Sequence, residues 1–216
     1  MANYVIHACP ERMWYVEDYL LPSLHNQGIK NATVYCDLLH LGNLEGCMKV
    51  FGTMKDDDDG VWHLQDDVII CRDFKKLTEK YDSGIVCGFV TPRSANIGYV
   101  KPEKMWYSFP CIRIPNQIAR EFYHWYYSFA KGYAKYYEWV HMNKCDDNFF
   151  YEFMKKNHPD MDVLNLTPNL VDHVDFLIGG SLINKYRNGA QIRAAYFEDL
   201  DLVESLAGKL KKEKDT

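Results

Sequence analysis

Val61-Trp62-His63-Leu64-Gln65-Asp66-Asp67-Val68-Ile69-Ile70 is an apolar run with two adjacent carboxylates in its middle. Its β-branched and aromatic content predicts a strand over residues 61–70, broken near Asp66-Asp67. Neighbouring strand residues point to opposite faces, so the two carboxylates cannot both face one core. Like charges side by side in an apolar run are costly unless something offsets them. A divalent cation does so, and hard oxygen ligands at a strand terminus suit Mg²⁺ or Mn²⁺ carried in with a phosphate group. The carboxyl ends of strands are also where open α/β sheets place their ligands. The bland alternative is a strand that ends in a solvated turn.

Upstream of that run, the pattern alternates between two periodicities. Residues 4–8 (YVIHA) predict a first strand, and residues 12–26 a helix with Trp14, Tyr15, Tyr19, Leu20 and Leu24 at helical spacing. Pro22 interrupts that helix and Gly28 ends it. Residues 32–36 (ATVYC) predict a second strand stopped by Asp37, and residues 38–48 are weakly helical. Downstream come a helix over 74–81 and a strand over 84–90. This order argues for an open, mostly parallel α/β sheet flanked by helices over the first half. After residue 91 the pattern loosens into a mixed half. It reads as a polar loop over 91–104, one or two strands over 105–114, helices over 116–129 and 146–156, and a strand over 161–166. From Glu198 the chain is helical, then frays into a lysine-rich tail over 208–216.

A chain of 216 residues with 47% hydrophobic content fits one domain with a sizeable core, which excludes general disorder. The longest apolar stretches, such as Val68-Ile69-Ile70-Cys71, fall far short of the roughly 20 residues of a membrane span. The opening Met1-Ala2-Asn3-Tyr4 lacks the basic patch and apolar stretch of a secretory signal, so a cytoplasmic location is expected. Net charge is −5, and the tail contributes +2 of it from four Lys against Glu213 and Asp215, leaving −7 on the body. A body of that sign does not bind nucleic acid through bulk electrostatics, although a local basic groove stays open. The seven cysteines (9, 36, 47, 71, 87, 111 and 145) are scattered and form no CxxC pair. They read as reduced, mostly buried thiols, and that spacing disfavours a zinc site.

The acidic pair, at about residue 65 and after two βα units, resembles the DxD signature of nucleotide-sugar-dependent glycosyltransferases with the GT-A fold. Residues 63–74 (HLQDDVIICRDF) are similar to the glutamate-aspartate-aspartate strand of branching N-acetylglucosaminyltransferases, with Gln65 at the first DxD position. Residues 4–12 (YVIHACPER), followed by a helix and a strand ending in Asp37, resemble that family's nucleotide-binding half. Residues 167–182 (TPNLVDHVDFLIGGSL) are similar to its proline-led strand, whose His supplies a further metal ligand before a small-residue loop.

The resemblance implies a single domain, with a sugar-nucleotide half over about 1–90 and an acceptor half over about 91–200. It implies transfer of a sugar from a nucleoside-diphosphate sugar to a hydroxyl, with Mn²⁺ or Mg²⁺ stabilising the leaving diphosphate. Asp67 is then the direct ligand, with Asp66 second or holding the ribose or a metal-bound water. His173 is the other ligand, or else a hydrogen-bonded core histidine. Pro10 and Arg12 follow the first strand, where backbone amides and a cation meet base or phosphate; Arg12 is equally readable as a helix-surface residue. Asp37 would contact the nucleoside. An inverting transfer needs a base. Asp147 is the first candidate and Asp146 the next, although carboxylates opening a helix ordinarily serve as caps. The acceptor is a glycan, a protein or a modified DNA base, and the oligomeric state stays open. Small size without a membrane anchor resembles glycosyltransferases of bacteriophages, some of which act in the host cytoplasm on hydroxymethylated DNA bases. Arg93, Lys101, Lys104 and the tail would then grip phosphate. An alternative of another class is a non-catalytic α/β protein that binds carbohydrate or a partner.

Other features invite discounting. Asp56–Asp59 ahead of Gly60 fails as an EF-hand, because Lys55 falls where the first Asp ligand is required. Gly179-Gly180-Ser181 is too short for a Walker loop. The ten aromatics between Phe122 and Trp139 read mostly as core packing, with a minority free to stack on a sugar or base.

Overall fold

The computed structural model describes residues 3–54, 59–92, 96–102, 109–130, 146–180 and 193–214. Strand β1 (Asn3–Ala8) leads into α1, a helical run built from Pro10–Arg12, Met13–Tyr15, Val16–Leu20 and Leu21–Asn26. Then follow β2 (Thr33–Cys36), α2 (Asn43–Phe51), β3 (Gly60–Gln65), β4 (Val68–Ile70), α3 (Phe74–Lys80) and β5 (Ile85–Cys87). The second half holds β6 (Gly98–Val100), β7 (Cys111–Pro115), α4 (Asn116–Trp125), α5 (Asp146–Asn157), β8 (Val163–Asn165), β9 (Val171–His173) and α6 (Leu200–Lys214).

Among the described residues, seven strands form one sheet in the order β2-β1-β3-β7-β5-β8-β6, and β4 pairs separately with β9. The first-half strands β2, β1 and β3 are mutually parallel, as expected of βα units. The second half is mixed: β7 runs antiparallel to both β3 and β5, β8 parallel to β5, and β6 antiparallel to β8. The result is an α/β fold with helices on both sheet faces.

Alternation along the central strands builds the two faces. Tyr4, Ile6 and Ala8 of β1, with Trp62 and Leu64 of β3, pack in a core shared with Tyr15, Leu20 and Leu24 of α1, Phe74 of α3, and Val203, Leu206 and Leu210 of α6. Val5 and Val61 face the other way, into a core with Met48 and Phe51 of α2, Phe122 of α4, and Phe149, Phe150 and Phe153 of α5. Because both faces are covered, these strands read as continuous apolar runs rather than as half-exposed alternation. The aromatic stretch behaves as core as far as it is described: Phe122 and Tyr126 are buried, and the Phe122 ring lies 5.1 Å from Phe150 and 5.2 Å from Phe153. Its remainder, over 131–139, lies outside the described residues, as do Asp56, Asp57, Asp58 and Ser181.

Several sequence expectations need correction. The helix read over 38–48 starts only at Asn43, because Gly42 has φ +89° and Asp37 Oδ2 accepts its N–H at 2.8 Å, holding residues 37–42 as a loop. The polar segment 91–104 contains β6, a three-residue edge strand too short to show a period. The tail does not fray at residue 208: α6 continues to Lys214 with Leu210 buried. Pro22 interrupts α1 without ending it. One turn upstream the helix widens, with the Leu21 N–H bonding to the Val16 carbonyl, which accommodates a residue with no N–H of its own.

Candidate active site

Parallel pairing of β1 with β3 sets their carboxyl ends side by side, with His7 opposite Gln65. The chain leaving each strand therefore meets at one edge. The Cys9 N–H, just ahead of Pro10 at the start of α1, donates to Asp66 Oδ2 at 2.7 Å. The antiparallel β4–β9 ladder places Val68 opposite His173, and the Val174 N–H donates to the Asp67 carbonyl at 2.8 Å. That register carries the imidazole to the carboxylate: His173 Nε2 lies 3.0 Å from Asp67 Oδ2.

Arg12 completes the group. It is buried, which rules out the helix-surface reading, and its guanidinium donates to Asp66 at 3.0 Å, to Asp67, and to the Gly180 carbonyl at 2.8 Å. Asp175 Oδ1 lies 3.4 Å from His173 Nδ1. Two carboxylates, one from the end of β3 and one just beyond β9, thus share the imidazole, and Gly180 closes the ring of contacts.

The electrostatics follow from burial and pairing. Burial alone would lower His173, but Asp67 and Asp175 outweigh it and push its pKa up to about 10. Burial alone would raise Asp67, yet His173 and Arg12 hold it well below the usual carboxylate range. Burial and the neighbouring Asp67 charge raise Asp66, against the pull of Arg12. With His173 protonated, the three carboxylates Asp66, Asp67 and Asp175 outnumber the two cations by one charge. Four atoms of this group are buried without a hydrogen bond: Arg12 Nε, Asp67 Oδ1, Asp175 Oδ1 and His173 Nδ1, the last two facing each other as an ion pair at 3.4 Å. Carboxylate oxygens with an imidazole nitrogen are a donor set that fits Mn²⁺ or Mg²⁺, and the excess negative charge favours a cation. Asp172, next to His173, does not face its ring. It is buried and spent on Arg193 and on the Ala194 and His173 N–H groups.

The other predicted residues sit apart from this group. Asp37 is buried at the end of β2, with Oδ2 on the Gly42 N–H and Oδ1 without a hydrogen bond. Beside it Leu38 and Leu39 are exposed. Asp146 and Asp147 open α5, and each carboxylate accepts the N–H of the next residue, at the helix end where negative charge is favoured. Asp146 is buried, its Oδ2 3.4 Å from Cys47 Sγ and 3.5 Å from Gln65 Nε2. Burial and the adjacent Asp147 charge push its pKa up to about 7. Asp147 is only half-buried. Lys101 forms an ion pair with Asp162 at 2.9 Å and donates to the Asp160 carbonyl, whereas Arg93 and Lys104 lie outside the described residues.

Of the two acidic neighbours of His173 that the sequence offers as partners for its ring, Asp175 takes that place and Asp172 does not; sequence reasoning missed Arg12 as the counter-ion of the acidic pair and a buried group of His7, Cys47 and His63. The signal for the last was a histidine inside each of two apolar strands, but its meaning depended on their register. Two surface grooves, one lined by Gln27, Arg72 and Lys75 and the other by Tyr15, Tyr19 and Leu206, contain none of the predicted site residues.

No family model matches the sequence, and no curated protein matches it either. Among solved structures, the chain is similar to the galactosyltransferase LgtC in complex with donor and acceptor sugar analogs, at 13% identity, 96% of this chain, 95% of that one and TM-score 0.49. It is similar to a protein from STIV at 17% identity, 80% and 85% coverage and TM-score 0.43. A 4-diphosphocytidyl-2C-methyl-D-erythritol synthase from Anaerococcus prevotii matches at 9% identity, 77% and 88% coverage and TM-score 0.43. Likenesses this loose do not assign a family. Among the described residues no helix is long and apolar enough to cross a membrane.

Proposed function

We propose that this chain is a metal-dependent glycosyltransferase that moves a sugar from a nucleoside-diphosphate sugar to a hydroxyl acceptor. The observation that carries the reading is the convergence of Arg12, Asp66, Asp67 and His173, from three separate parts of the chain, at the carboxyl ends of β1 and β3. Open α/β sheets bind ligands at that edge.

Asp67 and His173, with Asp175 beside them, would hold Mn²⁺ or Mg²⁺, which supplies charge neutralisation for the departing diphosphate. Arg12 is a second fixed cation against the same phosphates, oriented by Asp66. Asp66 also holds the Cys9 N–H and so fixes the turn at Pro10, where the nucleotide would pass. Asp37, with an unpartnered buried oxygen next to exposed Leu38 and Leu39, suits a nucleoside. In an inverting transfer Asp147 would take the proton of the acceptor hydroxyl. Asp146 is the poorer candidate because its carboxylate is buried against Cys47 and Gln65. A retaining transfer needs no such base. A glycan or protein hydroxyl is favoured as acceptor over a hydroxymethylated DNA base, since Lys101 is engaged with Asp162 and the lysine-rich terminus is part of α6.

One observation favours a second reading, a non-catalytic α/β binding protein. Arg12, Asp66, Asp67 and His173 also satisfy one another as an ion cluster that ties α1 to β9. Calorimetry with UDP separates the two. Binding that requires Mn²⁺ and is lost in Asp67→Ala supports the enzyme. Mn²⁺-independent binding, or none with UDP, GDP and other nucleotides alike, supports the scaffold.

A further inference from the structure

On the opposite face of β1 and β3 from the main α1 core, His7 and His63 point towards α2 and meet Cys47. One ligand atom from each of the three lies within 4.8 Å of the other two, and all three residues are buried. The individual separations are specific: Cys47 Sγ lies 3.7 Å from His7 Nδ1 and 3.4 Å from His63 Nε2. Asp146 Oδ2, from the first turn of α5, lies 3.4 Å from the same sulfur. Tetrahedral zinc, with bonds of about 2.0–2.1 Å to nitrogen and about 2.3 Å to sulfur, sets neighbouring ligand atoms about 3.5 Å apart.

We propose that His7, Cys47 and His63 form a binding site for a zinc-class divalent ion, distinct from the carboxylate group at Asp67, with Asp146 beside the sulfur.

Three further features support it. His63 Nδ1 lies 3.2 Å from the Phe109 carbonyl, so that nitrogen carries the proton and Nε2 turns its lone pair towards Cys47. A ligating histidine is ordinarily oriented by such a bond. The charges close: a divalent ion, a thiolate and the Asp146 carboxylate sum to zero with both imidazoles neutral, which suits a buried site. The helix is cut to fit as well. A Cβ on Gly46 would come 2.0 Å from His7 Nε2, so only glycine at 46 brings Cys47 this close to β1. Thiolate and imidazole select zinc over the magnesium class. The spacing rule that disfavoured zinc in the sequence applies to ligands on one loop, whereas here β1, α2 and β3 each bring one. Loading displaces the Cys47 thiol proton to solvent and forms the metal–sulfur bond, and the ion then clamps α2 to the sheet.

The test uses the full chain, stripped with a chelator and titrated with Co²⁺ and then Zn²⁺. The expected result is one thiolate-bound Co²⁺ per chain, read from the near-ultraviolet sulfur-to-cobalt absorption and the strong visible bands of tetrahedral cobalt, with those bands abolished by Zn²⁺. Cys47→Ser should remove the sulfur absorption and weaken Zn²⁺ binding by at least about a hundredfold. Asp67→Asn should retain both, which keeps this site independent of the nucleotide site. Absence of the sulfur absorption in the wild-type chain overturns the proposal, and so does its survival in Cys47→Ser. The wild-type spectrum decides even where the serine variant fails to fold.

Discussion

Replacing His173 with Gln should change how stability depends on pH. In the folded chain the imidazole lies 3.0 Å from Asp67 and 3.4 Å from Asp175, with Arg12 across Asp67 and the Phe89 ring 6.1 Å away. Its pKa rises from 6.5 to about 10. A raised folded pKa stabilises the native state fully below the unfolded value, and that stabilisation fades as pH climbs through the folded value. At about 1.4 kcal/mol per unit the full contribution is about 5 kcal/mol, the upper end of the roughly 3–5 kcal/mol cost of breaking a buried ion pair. Urea unfolding followed by tryptophan fluorescence at pH 6, 7, 8 and 9, without added divalent ions, measures it. The wild-type advantage over His173→Gln should be largest at pH 6 and shrink by about 2–3 kcal/mol between pH 7 and 9. A difference that stays constant over that range would refute the protonated His173–Asp67 pair.

The same proton governs metal loading: Mn²⁺ must displace it from His173, so Mn²⁺ affinity should rise about tenfold per pH unit from 7 towards 10, with close to one proton released per ion in calorimetry across buffers. Asp147→Asn should cut sugar transfer by about 10²–10⁴ while leaving UDP affinity nearly unchanged, as read from kcat and a binding titration. Gly46→Ala should destabilise the fold by about 1–3 kcal/mol in a denaturant titration, because the new methyl meets the His7 ring at the heart of a packed core. Phe122→Ala should cost about 3–5 kcal/mol in the same assay, since its ring is enclosed by Phe51, Phe150 and Phe153.

Local pattern was enough for elements whose neighbours in sequence decide their state. β1, β3, α1, α4 and α5 are visible as apolar runs or helical stripes because side-chain period is a property of the chain itself. The break at Asp66-Asp67 was visible for the same reason: two charges cannot continue a buried strand. Elements defined by partners were not visible. β6 exists because β8 offers it an edge, and α2 begins where Gly42 and Asp37 hold the preceding loop.

The amino-acid sequence alone determined an α/β chain with an acidic break at the end of its third strand and a lone histidine in a late strand. Only the tertiary structure decided that these meet. The β1–β3 and β4–β9 registers carry Asp66 to Cys9 and Asp67 to His173, and burial turns Arg12 from a surface residue into their counter-ion. It also decided that His7, Cys47 and His63 lie against one another. The physical reason is the same in each case. Composition and period act over a few residues, whereas charge neutralisation and metal-ligand geometry act across a few ångströms of space, and the sheet register alone converts one distance into the other.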